Sequence, residues 1–250
     1  MRMRQWILLT GLALPALLAQ AAGLGRVEQV LAPAWLVRAG HSEPLTPDMV
    51  LHDGDRVETG AGARAYLLLG DGGRVKLGAS TQFAITAATE TTAANGRDEN
   101  GVYRAAIDIV TGAFRYTTGL LKKLQPRDLS VRVGTTTIGI RGTDIWGRAS
   151  PDEDMAVLIE GHVELTRGAE SVIMSEPLTQ YHAPRTGAMQ PLGKIDPVAL
   201  GELARETEIP AGAGASSVQG RYTATLGSFS TPTEARARYD QVRAAGYAAR

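Results

Sequence analysis

LSVRVGTTTIGIRGTD, residues 129–144, decides how this chain is to be read. Leu129, Val131 and Val133 alternate with Ser130 and Arg132, the period of two that sends one face of a β-strand into a core. Ile138 and Ile140 keep that period but stand on even positions. A strand cannot change parity without a bulge or a turn, so Gly134–Thr137 has to absorb one residue of slip. Gly139 and Gly142 then allow close backbone approach or positive φ. The stretch is therefore a corner first. Arg141 is the residue in it with a second possible use: its guanidinium can grip a carboxylate or phosphate bidentately, with the Thr143 hydroxyl as an added donor. Alternatively it bonds strand-end carbonyls or Asp144 and fastens the corner.

The same short alternation runs outward in both directions, from Val27 to about Pro191. Ala65, Leu67 and Leu69 share a face, Gly70-Asp71-Gly72-Gly73 supplies a turn, and Val75 and Leu77 return. Phe83 and Ile85 follow the Gly78-Ala79-Ser80 turn. Ala105, Ile107 and Ile109 alternate before a turn at Gly112 and the return at Phe114, and Val157–Ile159 and Val163–Leu165 flank the Glu160-Gly161 turn. Short strands at close spacing predict a mainly β domain over 24–192, either a β-solenoid or a sandwich. Residues 86–101 are polar and aperiodic and predict an exposed loop. Residues 120–128 predict a mobile connection or one helical turn ended by Pro126.

Composition changes after Pro191. Asp196 as N-cap and Pro197 at the first helical position predict a short helix over 197–208, and PAGAGASS, 210–217, predicts a flexible linker. Residues 193–218 thus form a helix and linker. In 219–250, RYTATLGSF (221–229) reads as a strand and 233–245 as a helix with Ala235, Tyr239 and Val242 on one face. Gly246 is its cap. About thirty residues is less than a core normally needs, so this is a small, truncated βα segment.

The opening MRMRQWILLTGLALPALLAQA carries Arg2 and Arg4, an apolar run from Trp6 to Leu18 and the small-x-small Ala19-Gln20-Ala21, which predicts a secretory signal peptide over 1–21. The apolar run is short of the roughly 20 residues that span a bilayer, so no transmembrane segment is expected after cleavage. Such a leader predicts export across the inner membrane. The whole chain has 26 basic and 26 acidic side chains; losing Arg2 and Arg4 leaves two more acids than bases, which gives nucleic acid no electrostatic hold. With no Cys, the fold has no disulfides and must rest on its core.

Catalytic patterns are missing. The sequence holds no G-x-S-x-G elbow, H-E-x-x-H, Walker loop or G-x-G-x-x-G after a strand, and its four His, at 41, 52, 162 and 182, are scattered. Asp48, His52, Asp53 and Asp55 lack the spacing of a metal loop and read as a solvated turn, as do Asp152, Glu153 and Asp154. A protein without catalytic residues, cofactor or metal is expected.

Three stretches together resemble the FecR domain family. LHDGDRVETGAGARAYLLLGDGGRVKLGASTQF (51–83) is similar to that domain's opening, with Gly54-Asp55-Arg56-Val57-Glu58-Thr59-Gly60 as its turn; VRVGTTTIGIRGTD (131–144) resembles its T-x-x-I-x-I-R-G-T signature; and AVLIEGHVELT (156–166) resembles the strand-Gly-strand pair that follows. The resemblance covers about 51–192. It implies a periplasmic β-structure that binds a protein or envelope ligand as sensor or scaffold. Alternatively, it implies a signalling sensor that regulates a sigma factor through a membrane partner. YTATLGSFSTPTEARARYDQVRAAGYAAR (222–250) resembles the first part of a SPOR domain, a module that binds peptidoglycan glycan strands. That likeness implies Thr225, Ser228 and Phe229 as glycan-binding candidates and an association with the cell wall as a further reading.

Overall fold

A computed structural model describes residues 23–87, 97, 100–119, 127–216, 225 and 227–247. The expected signal peptide (1–21), most of the expected loop at 86–101 and residues 120–126 of the expected connection lie outside them.

The strands are β1 (Gly25–Leu31), β2 (Ala34–Arg38), β3 (His41–Pro44), β4 (Val50–Leu51), β5 (Arg56–Thr59), β6 (Arg64–Leu69), β7 (Arg74–Leu77), β8 (Gln82–Ala87) and β9 (Tyr103–Thr117). There follow β10 (Arg127–Val133), β11 (Thr136–Ile140), β12 (Asp144–Ala149), β13 (Glu153–Glu160), β14 (Val163–Arg167), β15 (Glu170–Met174), β16 (Thr179–Pro184) and β17 (Gly193–Lys194). All seventeen are joined by hydrogen bonds. They fall into two layers that share β9. Layer A runs β4-β1-β6-β7-β9-β12-β13-β16-β17. Layer B runs β3-β2-β5-β8-β9-β10-β11-β14-β15.

The chain advances along both layers in step, laying strands and hairpins alternately in one and the other, as a solenoid would. Yet among the described strands every pairing except β9 with β10 is antiparallel. The architecture is thus the sandwich of the two expected forms. Inner faces of both layers meet in one core, with Leu67, Phe114 and Ile145 from A against Ile107, Val131 and Ile138 from B. Burying each such side chain contributes about 1.5–3 kcal/mol.

The expected turn at Gly112 is a crossing. β9 pairs with β8 and β10 up to Thr111 and with β7 and β12 beyond it, so one long strand belongs to both layers. Its buried residues change parity there, from Ile107 and Ile109 to Phe114 and Tyr116. Gly112 has φ +93°, and a Cβ on it would run into Thr81.

Two segments of equal topology flank β9 and β10. In each, a layer-B strand crosses to a layer-A hairpin and returns to pair with the first strand: β5–β6–β7–β8, then β11–β12–β13–β14. The repeat is not legible in the sequence, because the two segments share a hydrophobic period and little else.

From β17 the chain turns back over the outer face of layer A. Ile195 N–H donates to Leu178 O at 2.9 Å, and α1 (Pro197–Arg205) starts from Asp196, whose side chain accepts from Val198 N–H. Leu200 and Leu203 of α1 pack with Trp146, Met155 and Val157, which point outward from layer A. Trp146 is thereby fully buried. The expected flexible linker is held where it is described: Val30 and Ala215 exchange backbone hydrogen bonds of 2.9 and 2.7 Å, and Gln29 Nε2 donates to Ala213 O. The free side of β1 offers donors and acceptors, which is what the composition of PAGAGASS could not show.

α2 (Pro232–Ala244) begins with a capping box between Thr231 and Glu234. Of the expected apolar face only Val242 is buried, while Tyr239 is 36% exposed. Gly246, with φ +81°, lies against Trp35 and Pro33. Of the expected strand at 221–229, Thr225 and Gly227–Phe229 are described and carry no strand.

Candidate functional site

The opening stretch resolves into two corners at opposite ends of the sandwich. At the first, Val133 pairs with Thr136, leaving Gly134-Thr135 as a two-residue hairpin turn. In a two-residue hairpin, odd positions on one strand face even positions on the other. That arithmetic explains the parity change without a bulge. Gly134 has φ +56°, and a Cβ there would strike the Asp154 carboxylate and the Arg185 guanidinium. Asp154, expected in a solvated loop, is instead 1% exposed. It accepts from Thr135 N–H at 2.8 Å and Thr135 Oγ1 at 2.7 Å, and pairs with Arg185 Nη1 at 2.8 Å. Arg185 also donates from Nη2 to Ser150 O at 2.7 Å, so this pair locks the hairpin turn to the start of β13.

The second corner is Arg141-Gly142-Thr143, where the chain leaves layer B for layer A. Beside it Gly161-His162 makes the return crossing. Thr143 Oγ1 donates to His162 O at 3.0 Å, and the Thr143 and Thr118 pair exchanges hydrogen bonds of 3.0 Å. A Cβ on Gly161 would run into the Gly142 carbonyl, and Gly142 itself has φ +74°. Thr143, 2% exposed, is a fastener. The first topological unit uses the same device: Thr59 Oγ1 donates to Gly78 O at 2.6 Å, again tying the outgoing crossing to the returning one. Gly139 needs neither positive φ nor close approach; a Cβ there would meet only Glu164 O, at 3.9 Å.

Arg141 does not fasten the corner through Asp144, contrary to one of its expected uses. Asp144 faces outward on layer A with Trp146 and Arg148, and there Arg115 takes it bidentately, Nε to Oδ1 at 2.9 Å and Nη2 to Oδ2 at 2.7 Å. The hydrogen bond to Asp144 raises the Arg115 pKa above its ordinary value. Arg141 directly follows β11, is exposed, and its guanidinium makes no hydrogen bond or ion pair with any described residue. His162 is exposed as well, and the two flank the last pair of the β11–β14 ladder, Ile140 with Val163.

A second polar constellation lies across the outer face of layer A. Glu208 receives Lys76 Nζ at 2.5 Å and Tyr66 OH at 2.8 Å, with Arg115 at 3.6 Å, while Arg148 reaches Glu206 at 3.2 Å. Thr207 between the two acids is fully buried. Burial pushes the Glu208 carboxyl up, but Lys76, Tyr66 and Arg115 outweigh it and hold it below its usual value. Tyr66, partly buried and beside that carboxylate, is pushed up to about 12. Read as sequence, Lys76, Arg115 and Arg148 look like solvated strand positions. Nothing local shows that residues 206–208 will cover them.

Asp48, His52, Asp53 and Asp55 do not converge on a metal. Asp55 is 1% exposed and takes Arg38 at 2.8 and 2.6 Å and His52 N–H at 2.7 Å. Among the described residues no group of three or more metal-ligating side chains occurs, and no helix is long and apolar enough to cross a membrane. Thr225 and Ser228 are exposed and Phe229 is 44% exposed.

The geometry is that of a two-layer β domain whose crossings are fastened by Thr59 and Thr143, with Arg141 exposed at one corner. The family profile described as FecR protein matches residues 55–164, from the end of the β4–β5 turn to β14, and so takes in both topological units and the two crossings. The resemblance to the FecR family therefore holds over that stretch. Two crystal structures of a "putative anti-sigma factor" from Parabacteroides distasonis are similar in fold, each at 14% identity and a TM-score of 0.45 over 56% of this chain. The chain spans 60% of that protein's length. Curated protein sequences give no match.

Proposed function

We propose that this chain is a non-catalytic FecR-type sensor of the periplasm, which takes up a signal by binding a membrane-associated protein and passes it toward a sigma factor. The family match over 55–164 supports the signalling part. The observation that carries the binding part is Arg141: it sits in the middle of the family's signature stretch, yet no described residue bonds its guanidinium. The neighbouring Thr143 and Asp144, which complete the stretch, are both consumed by structure. An exposed guanidinium beside His162 on a glycine corner suits an acidic side chain of a protein partner.

Site-specific photo-crosslinking tests this reading. A photoreactive residue at position 141, in cells of the source bacterium, is expected to yield an adduct with an envelope signalling protein, and the Arg141→Glu variant to lose the dependent transcription while keeping its melting temperature. Cytoplasmic fractionation of the protein, or full signalling by the Arg141→Glu variant, overturns it. A second reading is favoured by Phe229, Tyr239 and Tyr247, which are 44%, 36% and 47% exposed in one small segment. Such rings stack on sugars, and sedimentation with glycan strands before and after Phe229→Ala distinguishes that wall-binding role.

A further inference from the structure

The sandwich has two ends, and the chain treats them differently. At the end made by β1–β4, α2 contacts β3 and Ala215 pairs with the free side of β1. At the other end, β17 is only two residues long and carries Lys194. β15 is five residues long, pairs among the described strands with β14 alone, and has no bulge, Lys or Pro; its single charge, Glu170, stands at its first position. Those are the devices that normally prevent an edge strand from pairing further. Its outward Ile173 is 64% exposed, and its inward Val172 packs against the core while remaining only partly buried. A core residue left half-covered on an unprotected edge is the signature of a layer that continues into something else.

We propose that two copies of this chain join through β15, antiparallel, extending layer B across a two-fold axis at Val172. The sequence of β15 is self-complementary in that register. Glu170 stands opposite the partner's Met174, Ser171 opposite the partner's Ile173, and Val172 opposite the partner's Val172, so no like charges are opposed. The inner face then carries the apolar layer through Val172, and the outer face covers Ile173. Because the opposite end of each chain is already capped, pairing closes at two copies and cannot propagate into a filament. The inference does not depend on the sensor reading.

Light scattering coupled to size exclusion, on the full exported chain at micromolar concentration, is expected to give twice the chain mass. The double variant S171K/I173K sets Lys against Lys across the joint on a solvent face, and is expected to run as a monomer with its circular dichroism and melting temperature kept. S171E/I173K sets Glu against Lys and is expected to restore the dimer. Amide exchange of residues 171–173, slower in the unsubstituted chain at high than at low concentration, reports the same contact without any variant. A monomeric unsubstituted chain overturns the proposal, and so does a dimer that survives S171K/I173K.

Discussion

On layer A the outward side chains of the central strands are covered by the returning chain, with Trp146 sealed beneath α1 and Lys76, Arg115 and Arg148 drawn to carboxylates from residues 144–208. On layer B the corresponding positions of β9 stay open: Val110 is 54% exposed, and Asp108 pairs with Arg132 across the β9–β10 ladder at the surface. Both faces arise from one alternating pattern of apolar and polar residues. They differ because residues 195–215 run back over one of them. The same polar residue types are thus tied to a returning chain on A and to a neighbouring strand on B, where Arg132 keeps 61% of its side chain exposed against 21–35% for Lys76, Arg115 and Arg148.

The largest way to break this contrast is Trp146→Ala. It removes a fully buried ring and leaves a cavity under α1, with an expected loss of about 3–5 kcal/mol; thermal or denaturant unfolding reads it. Next comes Asp154→Ala, which strands Arg185 and unties the Gly134-Thr135 turn from β13. Its expected cost is about 3 kcal/mol by chemical denaturation. Glu208→Gln weakens the covering of layer A by on the order of 1 kcal/mol, since that carboxylate is 38% exposed, and hydrogen exchange of residues 195–215 is expected to quicken. The pH dependence has the matching sign. Glu208 is held below its usual 4.5, so its stabilisation is complete above that value and is lost as pH falls through the lower folded pKa. Accelerated exchange of 195–215 appearing only at that acid limb, and absent in Glu208→Gln, checks it. The smallest effect belongs to layer B: Asp108→Asn removes a surface pair with Arg132 and is expected to change stability by less than about 0.5 kcal/mol in the same unfolding assay. A layer-B loss as large as that of Glu208→Gln would erase the distinction between the faces.

How much could be read beforehand varies by residue. The strands around Leu67, Val75, Ile107, Val131 and Ile138 were legible because a half-buried strand must alternate. The cap at Asp196 was legible because capping is local. Arg141 and Thr143 read as corner residues from their glycine neighbours, and both lie in the second corner. The partner of Asp144 was not legible, since Arg115 lies on another strand and meets it only when β9 and β12 pair. Asp154 looked like one of three loop acids for the same reason: its burial comes from Gly134-Thr135 and Arg185, both distant in the chain.

Features that are periodic or local can be read along the chain: its mainly β character, the positions of its Gly turns, the parity change at Gly134, the helix starts and the likeness to the FecR family. Three others come only from the assembled fold: β9 passes from one layer to the other at Gly112, the two four-strand units repeat a topology, and residues 195–215 close over layer A and not layer B. The physical reason is that period and turn chemistry act over a few residues. Which face is covered, which charge is paired and which edge is left open depend on strands brought together from across the whole chain.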